Sequence, residues 1–199
     1  HFTMNYEIEF FNDSVYKETM NLPSSILAQL LRVFDLAEIY GANLGRPHSA
    51  PLGDGLFEFR AKGKEGIARS IFVCVAGRKI IILHSITKKS SKIPRKDFRI
   101  SKETSKGVKM KSYKEFKKEA LAKSEVKAIY ESLSDEFELK AKLIELRKSA
   151  KLTQEELAKR MHTTKSSIAR LESLKSNPTI ATLQSYANAF GKSLRIEFV

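Results

Sequence analysis

Cysteine is nearly absent from the sequence, with only Cys74 among 199 residues. One thiol in an apolar run has no partner within the chain, so a disulfide framework is excluded and a reducing, cytoplasmic setting is expected. Histidine is almost as scarce, with four residues scattered along the chain. One cysteine and four dispersed imidazoles offer no zinc-ligand spacing, so no metal is expected. Long apolar runs are also missing. Nothing approaches the roughly 20 residues needed to cross a bilayer, and no signal-peptide pattern opens the sequence, so no membrane partner is expected. Acidic residues are in deficit, 23 against 36 Lys and Arg, for a net charge of +13. A surplus of that size favours polyanionic partners. It is shared almost evenly, +7 over residues 1–109 and +6 over residues 110–199. Each half therefore calls for a polyanion or an internal partner of its own.

Hydrophobic residues make up 42% of the chain, enough for a core, and the length allows one large or two small domains. The clearest local signal is residues 153–172, TQEELAKRMHTTKSSIARLE. Thr153 and Glu156 form a T-x-x-E capping box, which satisfies free amides at a helix start. Leu157 and Ala158 are the apolar positions of a short helix. His162-Thr163-Thr164 makes a turn, and Ile168 and Leu171 are the buried pair of a second short helix. Two short helices at a tight turn are the helix-turn-helix, whose second helix fits the DNA major groove.

This stretch resembles the Cro/repressor-type helix-turn-helix family. The resemblance places Gln154 at a backbone phosphate, and Thr164, Lys165, Ser166 and Arg170 where recognition-helix side chains reach bases or phosphates. His162 stands where the family usually has Gly; histidine tolerates a left-handed backbone better than most residues. Beyond the motif, Lys175 lies in a loop within reach of phosphate. Ser134 caps a helix over residues 135–150, Thr179 caps one over 180–190 that ends at Gly191, and residues 193–199 alternate as a terminal strand. Helix-turn-helix proteins commonly bind half-sites one helical turn apart, so a homodimer on a palindromic operator duplex is expected.

In the first half, His1-Phe2-Thr3 ahead of Met4 reads as a cloning remnant. Residues 6–11 alternate as a strand, and residues 13–40 are helical, broken at Asn21-Leu22-Pro23. A Gly- and Pro-rich loop over 41–55 precedes strands at 56–61, 67–75 and 79–86. Gly77-Arg78 is a two-residue turn between the last two. Helices packed on one face of this antiparallel meander make an α+β domain. With Lys62–Glu65 as the other loop, Glu58 faces Arg69, Arg60 faces Ile67 and Ile71 faces His84. That register gathers Glu58, Arg60, Arg69 and His84 on one side. Phe57, Phe59, Phe72, Cys74, Ile81 and Leu83 fall on the helix-covered side.

The run LFEFRAKGKEGIARSIFVCVAGRKIIILHSITKKSSKIPRKDF resembles the RelE-superfamily toxins, in particular the HigB-type branch, over roughly residues 4–98. The resemblance implies a metal- and cofactor-independent, ribosome-dependent mRNA endonuclease, in which a ribose 2′-OH attacks the adjacent phosphate. It would give Arg69 the transition state and Arg60 a substrate phosphate. His84 would shuttle a proton, and Lys88 and Lys89 would bind backbone or stabilise charge. Glu58 would hold Arg69. Residues 99–111 are polar and weakly patterned, like a linker at a fusion junction. Residues 112–133 form one amphipathic helix with Tyr113, Phe116, Val126, Ile129 and Tyr130 on its apolar stripe. From Met110 the chain resembles HigA-type antitoxins, which gives this helix a toxin-neutralising role and the chain a HigBA-type toxin–antitoxin organisation. The expected domains are 4–98, a linker over 99–111, and 112–199 with a helix-turn-helix core over 134–191. Two alternatives remain at this point: an active RNA endonuclease with an incidental helix-turn-helix, and a plain dimeric regulator whose first domain is not catalytic.

Overall fold

The structure, a computed structural model, describes residues 6–87, 110–174 and 176–197. Lys88, Lys89, Lys175 and residues 99–109 of the expected linker lie outside them. The chain forms two compact units. The first runs to Leu133 except for Gly45–Pro47; the second holds those three residues and everything from Ser134 onward.

The first unit is built on a six-stranded sheet, β1 (Glu7–Phe10), β2 (Ser49–Gly53), β3 (Leu56–Lys62), β4 (Ile67–Val75), β5 (Lys79–Thr87) and β6 (Lys111–Ser112), in the order β2-β3-β4-β5-β1-β6. The sheet is mixed rather than antiparallel throughout, because β1 runs parallel to β5. Two sequence readings are corrected here. The 41–55 loop contains a strand, β2, which pairs antiparallel with β3, and β6 lies antiparallel to β1.

Helices α1 (Asp13–Met20) and α2 (Ser24–Tyr40) follow β1. Asn12 caps α1, its Oδ1 accepting from Val15 N at 2.9 Å. Leu22-Pro23 ends that helix, since proline cannot carry on its hydrogen-bond ladder. From Ser25 to Ala37 every residue of α2 is buried. A helix buried on all sides has to be covered on more than one side. The sheet covers one side, with Phe34 edge-on to Phe59 at 5.6 Å. The other cover comes from residues expected to form one helix over 112–133. They form two, α3 (Tyr113–Leu121) and α4 (Ser124–Ser132), and both belong to the first unit rather than to the carboxyl-terminal half. Ser112 and Glu115 make a capping box at the start of α3. The chain breaks at Ala122-Lys123, so two short segments turn Phe116 and Val126 inward, both fully buried. Phe116 sits 4.5 Å from Phe10 and 5.0 Å from Tyr16, ring centre to ring centre. Truncating a ring buried this way typically costs about 3–5 kcal/mol.

The second unit is helical: α5 (Ser134–Ser149), α6 (Gln154–Arg160), α7 (Lys165–Leu171) and α8 (Ile180–Asn188). Leu143, Leu157, Ala158, Ile168, Leu171 and Tyr186 form its core. The terminal strand expected over 193–199 is not formed by the described residues 193–197. Alternation alone does not make a strand, which needs a neighbour to complete its hydrogen bonds.

Candidate nucleic-acid surfaces

Strand register decides which side chains of the sheet can act together. Between β3 and β4 the pairs are Arg60 with Arg69, Glu58 with Ile71 and Lys62 with Ile67. The expected pairing of Glu58 with Arg69 is displaced by two positions, because the loop occupies 63–66. An even displacement keeps every side chain on its face. Between β4 and β5 the turn is one residue longer than expected, with Val75 paired to Lys79, and an irregularity between Ile71 and Phe72 restores Ile71 to His84. The two changes cancel at His84, so Glu58, Arg60, Arg69 and His84 share one face. They do not cancel nearer the turn. Ile81 and Leu83 join Leu56 and Ile71 in a cluster on that same polar side, whereas Ile82 pairs with Phe72 toward the helices. Cys74, expected in the core, is exposed.

Glu58 is fully buried and organises this face. Its Oε1 accepts from Arg60 Nε at 2.5 Å and also meets an Nη of the same guanidinium. Its Oε2 has no hydrogen bond and faces Arg69 Nε at 3.6 Å. Both arginines are about one-third exposed. One buried carboxylate thus holds two guanidiniums whose remaining donors are free to point toward a phosphate. His84 is held differently: its Nδ1 lies 2.7 Å from Glu18 Oε2 on α1, and the same oxygen accepts from Ser85 N at 3.0 Å. Glu18 was not legible from sequence, since the contact spans 66 residues and no local pattern marks it.

The second surface of the first unit is the cover on α2. Asp35 is its hub. Its Oδ1 accepts from Tyr113 Oη and from Lys117 Nζ, both at 2.7 Å, and its Oδ2 accepts from Tyr130 Oη at 2.5 Å. Arg32 lies over the Tyr130 ring at 3.6 Å and donates to the Tyr130 carbonyl at 2.7 Å. Burial, then the neighbouring Asp35 carboxylate, pushes the Tyr113 phenol well above its usual range. Ile129 and Tyr130 are half-buried and Val126 is fully buried. All five residues of the expected apolar stripe are thus at least half covered. The sequence did carry a signal for Asp35: with Arg32 it is one of few charges inside an otherwise apolar helix.

In the second unit, Thr153 and Glu156 make the expected capping box, and His162 is left-handed at φ 51. Thr164 caps α7, accepting from Ser167 N at 3.2 Å. Ile168 and Leu171 face the core, which leaves Thr164, Lys165, Ser166 and Arg170 exposed. Lys165 lies 3.7 Å from Glu155, both well exposed, a pairing weak enough for a phosphate to replace. Gln154 is placed differently: it is buried, and its Nε2 donates to Glu172 Oε2 at 2.8 Å. Glu172 also takes Arg147 in a two-point pair, Nε to Oε1 at 2.6 Å and Nη2 to Oε2 at 2.8 Å, and accepts from Tyr186 Oη at 3.1 Å. This buried knot sets α5, α6, α7 and α8 against each other, and so fixes how α7 is presented.

Among the described residues no helix is long and apolar enough to cross a membrane, and no group of three or more His, Cys, Asp or Glu could hold a metal ion. Residues 17–106 match the family described as Phage derived protein Gp49-like (DUF891). Residues 143–196 match the family described as Helix-turn-helix. A Gp49-like domain of the RelE/HigB-like kind, joined to a Cro/repressor-type DNA-binding domain, is at the coarse level a toxin–antitoxin fusion. No curated protein matches the chain.

Proposed function

We propose that the chain is a HigBA-type toxin and antitoxin in one polypeptide, with an mRNA endonuclease half held neutral by α3 and α4 and a helix-turn-helix half that represses its own operator. The observation that carries this reading is the docking of α3 and α4 on α2 through Asp35. A segment that resembles the start of an antitoxin is bound to the domain it would restrain.

In the toxin half, cleavage is transesterification. The ribose 2′-oxygen forms a bond to the adjacent phosphorus, the bond to the 5′-oxygen breaks, and a proton moves from nucleophile to leaving group. Arg69 stabilises the charge that grows on five-coordinate phosphorus, Arg60 holds a substrate phosphate and His84 carries the proton. Lys88 and Lys89 assist with backbone charge. Ribosome-bound mRNA is the substrate once the half is released. In the antitoxin half, a homodimer sets two copies of α7 in successive major grooves of a palindromic duplex. Lys165, Ser166 and Arg170 contact DNA, with Thr164 and Lys175 at phosphates and Gln154 at the start of α6 bracing that face.

The test is expression of residues 4–109 alone, with Arg69→Ala in the same fragment and with residues 110–199 supplied separately. Growth arrest by the fragment, relieved by either change, is expected. A fragment that accumulates folded and soluble yet is harmless, or an intact chain as toxic as the fragment, contradicts the reading.

A further inference from the structure

β1 pairs with β5 only as far as Ile82. Beyond that point the same edge of β5 needs hydrogen-bond partners from elsewhere. Two consecutive residues of α1 meet it. Glu18 Oε2 accepts from Ser85 N at 3.0 Å and lies 2.7 Å from His84 Nδ1. Thr19 Oγ1 donates to the Val15 carbonyl at 2.8 Å and lies 2.8 Å from Ser85 Oγ, which in turn lies 2.9 Å from Ser70 Oγ. All three hydroxyls are buried. Each has one hydrogen to give, so the chain runs one way, from Ser70 to Ser85 to Thr19 to the Val15 carbonyl. α1 is thereby fixed to β5 at the position next to His84.

That anchoring decides how His84 uses its ring. A neutral imidazole carries one hydrogen, on Nδ1 or on Nε2, and the other nitrogen is the base. An ionised carboxylate only accepts, and the Ser85 amide holds Oε2 in place whatever the ring does. The hydrogen between Oε2 and Nδ1 therefore comes from the ring. We propose that Glu18 is the positioning residue for His84: it keeps the imidazole hydrogen on Nδ1 and so makes Nε2 the nitrogen that takes the ribose 2′-hydroxyl proton. As Nε2 takes it, the 2′-oxygen bonds to phosphorus and the bond to the 5′-oxygen breaks. The proton passes to that oxygen, which leaves His84 neutral with its hydrogen still on Nδ1. With the hydrogen on Nε2 instead, that nitrogen has no lone pair to offer. This inference rests on the nuclease reading and names the residue that makes His84 competent for it.

The experiment is nitrogen NMR of the full-length chain labelled in its four histidines, recorded at about pH 8.5, above the ordinary imidazole range. His84→Ala assigns the His84 signals. The expected wild-type spectrum shows the His84 hydrogen on Nδ1 and a bare Nε2. Glu18→Gln is expected to keep that pattern, since the amide oxygen can accept from both Nδ1 and Ser85 N. Glu18→Ala is expected to lose it, the ring shifting to the Nε2–H form that an unrestrained imidazole favours in water. A wild-type spectrum with the hydrogen on Nε2 overturns the proposal without any variant. So does a folded Glu18→Ala chain that still carries the hydrogen on Nδ1. The spectrum requires no activity, so either result removes the role of Glu18 alone, whereas a folded, harmless 4–109 fragment removes the nuclease reading with it.

Discussion

Each unit contains a buried glutamate bound to arginine, and the two glutamates do different work. Glu58 is fully buried but its arginines are about one-third exposed, so the carboxylate presents their charge to solvent. Glu172 is equally buried, but Arg147 is buried with it, and Gln154 and Tyr186 close the same knot. That cluster presents nothing itself; it holds the helices that present α7. What separates a display from a staple is the exposure of the guanidinium, since a solvated cation loses little when its partner goes, whereas a buried one is left uncompensated.

The largest effect expected from this contrast is at Glu172. Glu172→Ala leaves Arg147 buried without its partner and should cost about 3–5 kcal/mol, read by calorimetric unfolding of the full chain. Next comes the surface that Glu172 supports. Lys165→Ala combined with Arg170→Ala should weaken operator binding by roughly a hundredfold and flatten its salt dependence. The same variant should change unfolding by no more than about 0.5 kcal/mol.

An alkaline titration compares the two units further. Burial, reinforced by Glu172, holds the Tyr186 phenol far above its ordinary range, and burial with Asp35 does the same for Tyr113. A raised pKa contributes stability that is whole below the unfolded value, near 10, and is lost as pH climbs toward the folded one. Stability should therefore fall above about pH 10 by up to about 1.4 kcal/mol per pH unit for each phenol. Tyr186→Phe and Tyr113→Phe should each remove one share, measured by denaturant unfolding at pH 9 to 11, about the ordinary phenol range. The smallest loss expected at a buried group is Glu58→Gln, about 1 kcal/mol, because water takes over much of what Arg60 and Arg69 lose. A cost equal to that at Glu172 would erase the contrast.

What the sequence made legible was local. The Thr153–Glu156 box, the Thr179 cap and the left-handed His162 each depend on a few adjacent residues, and all formed as expected. The break between α1 and α2 at Leu22-Pro23 was equally visible. Faces in the sheet survived a register error because the displacement was even, whereas the longer turn before β5 moved Ile81 and Leu83 to the other side. Contacts distant in sequence left little trace. Glu18 on His84 and Tyr130 on Asp35 bridge 66 and 95 residues. The attachment of α3 and α4 to the first unit was expected only from the resemblance to an antitoxin, although an α2 buried on all sides already demanded a second cover.

The account depends most on whether that cover restrains an active domain. Growth of cells expressing residues 4–109 should stop, and should resume with Arg69→Ala or with residues 110–199 supplied alongside. Unimpaired growth while the unaccompanied fragment is present in folded, soluble form would contradict it.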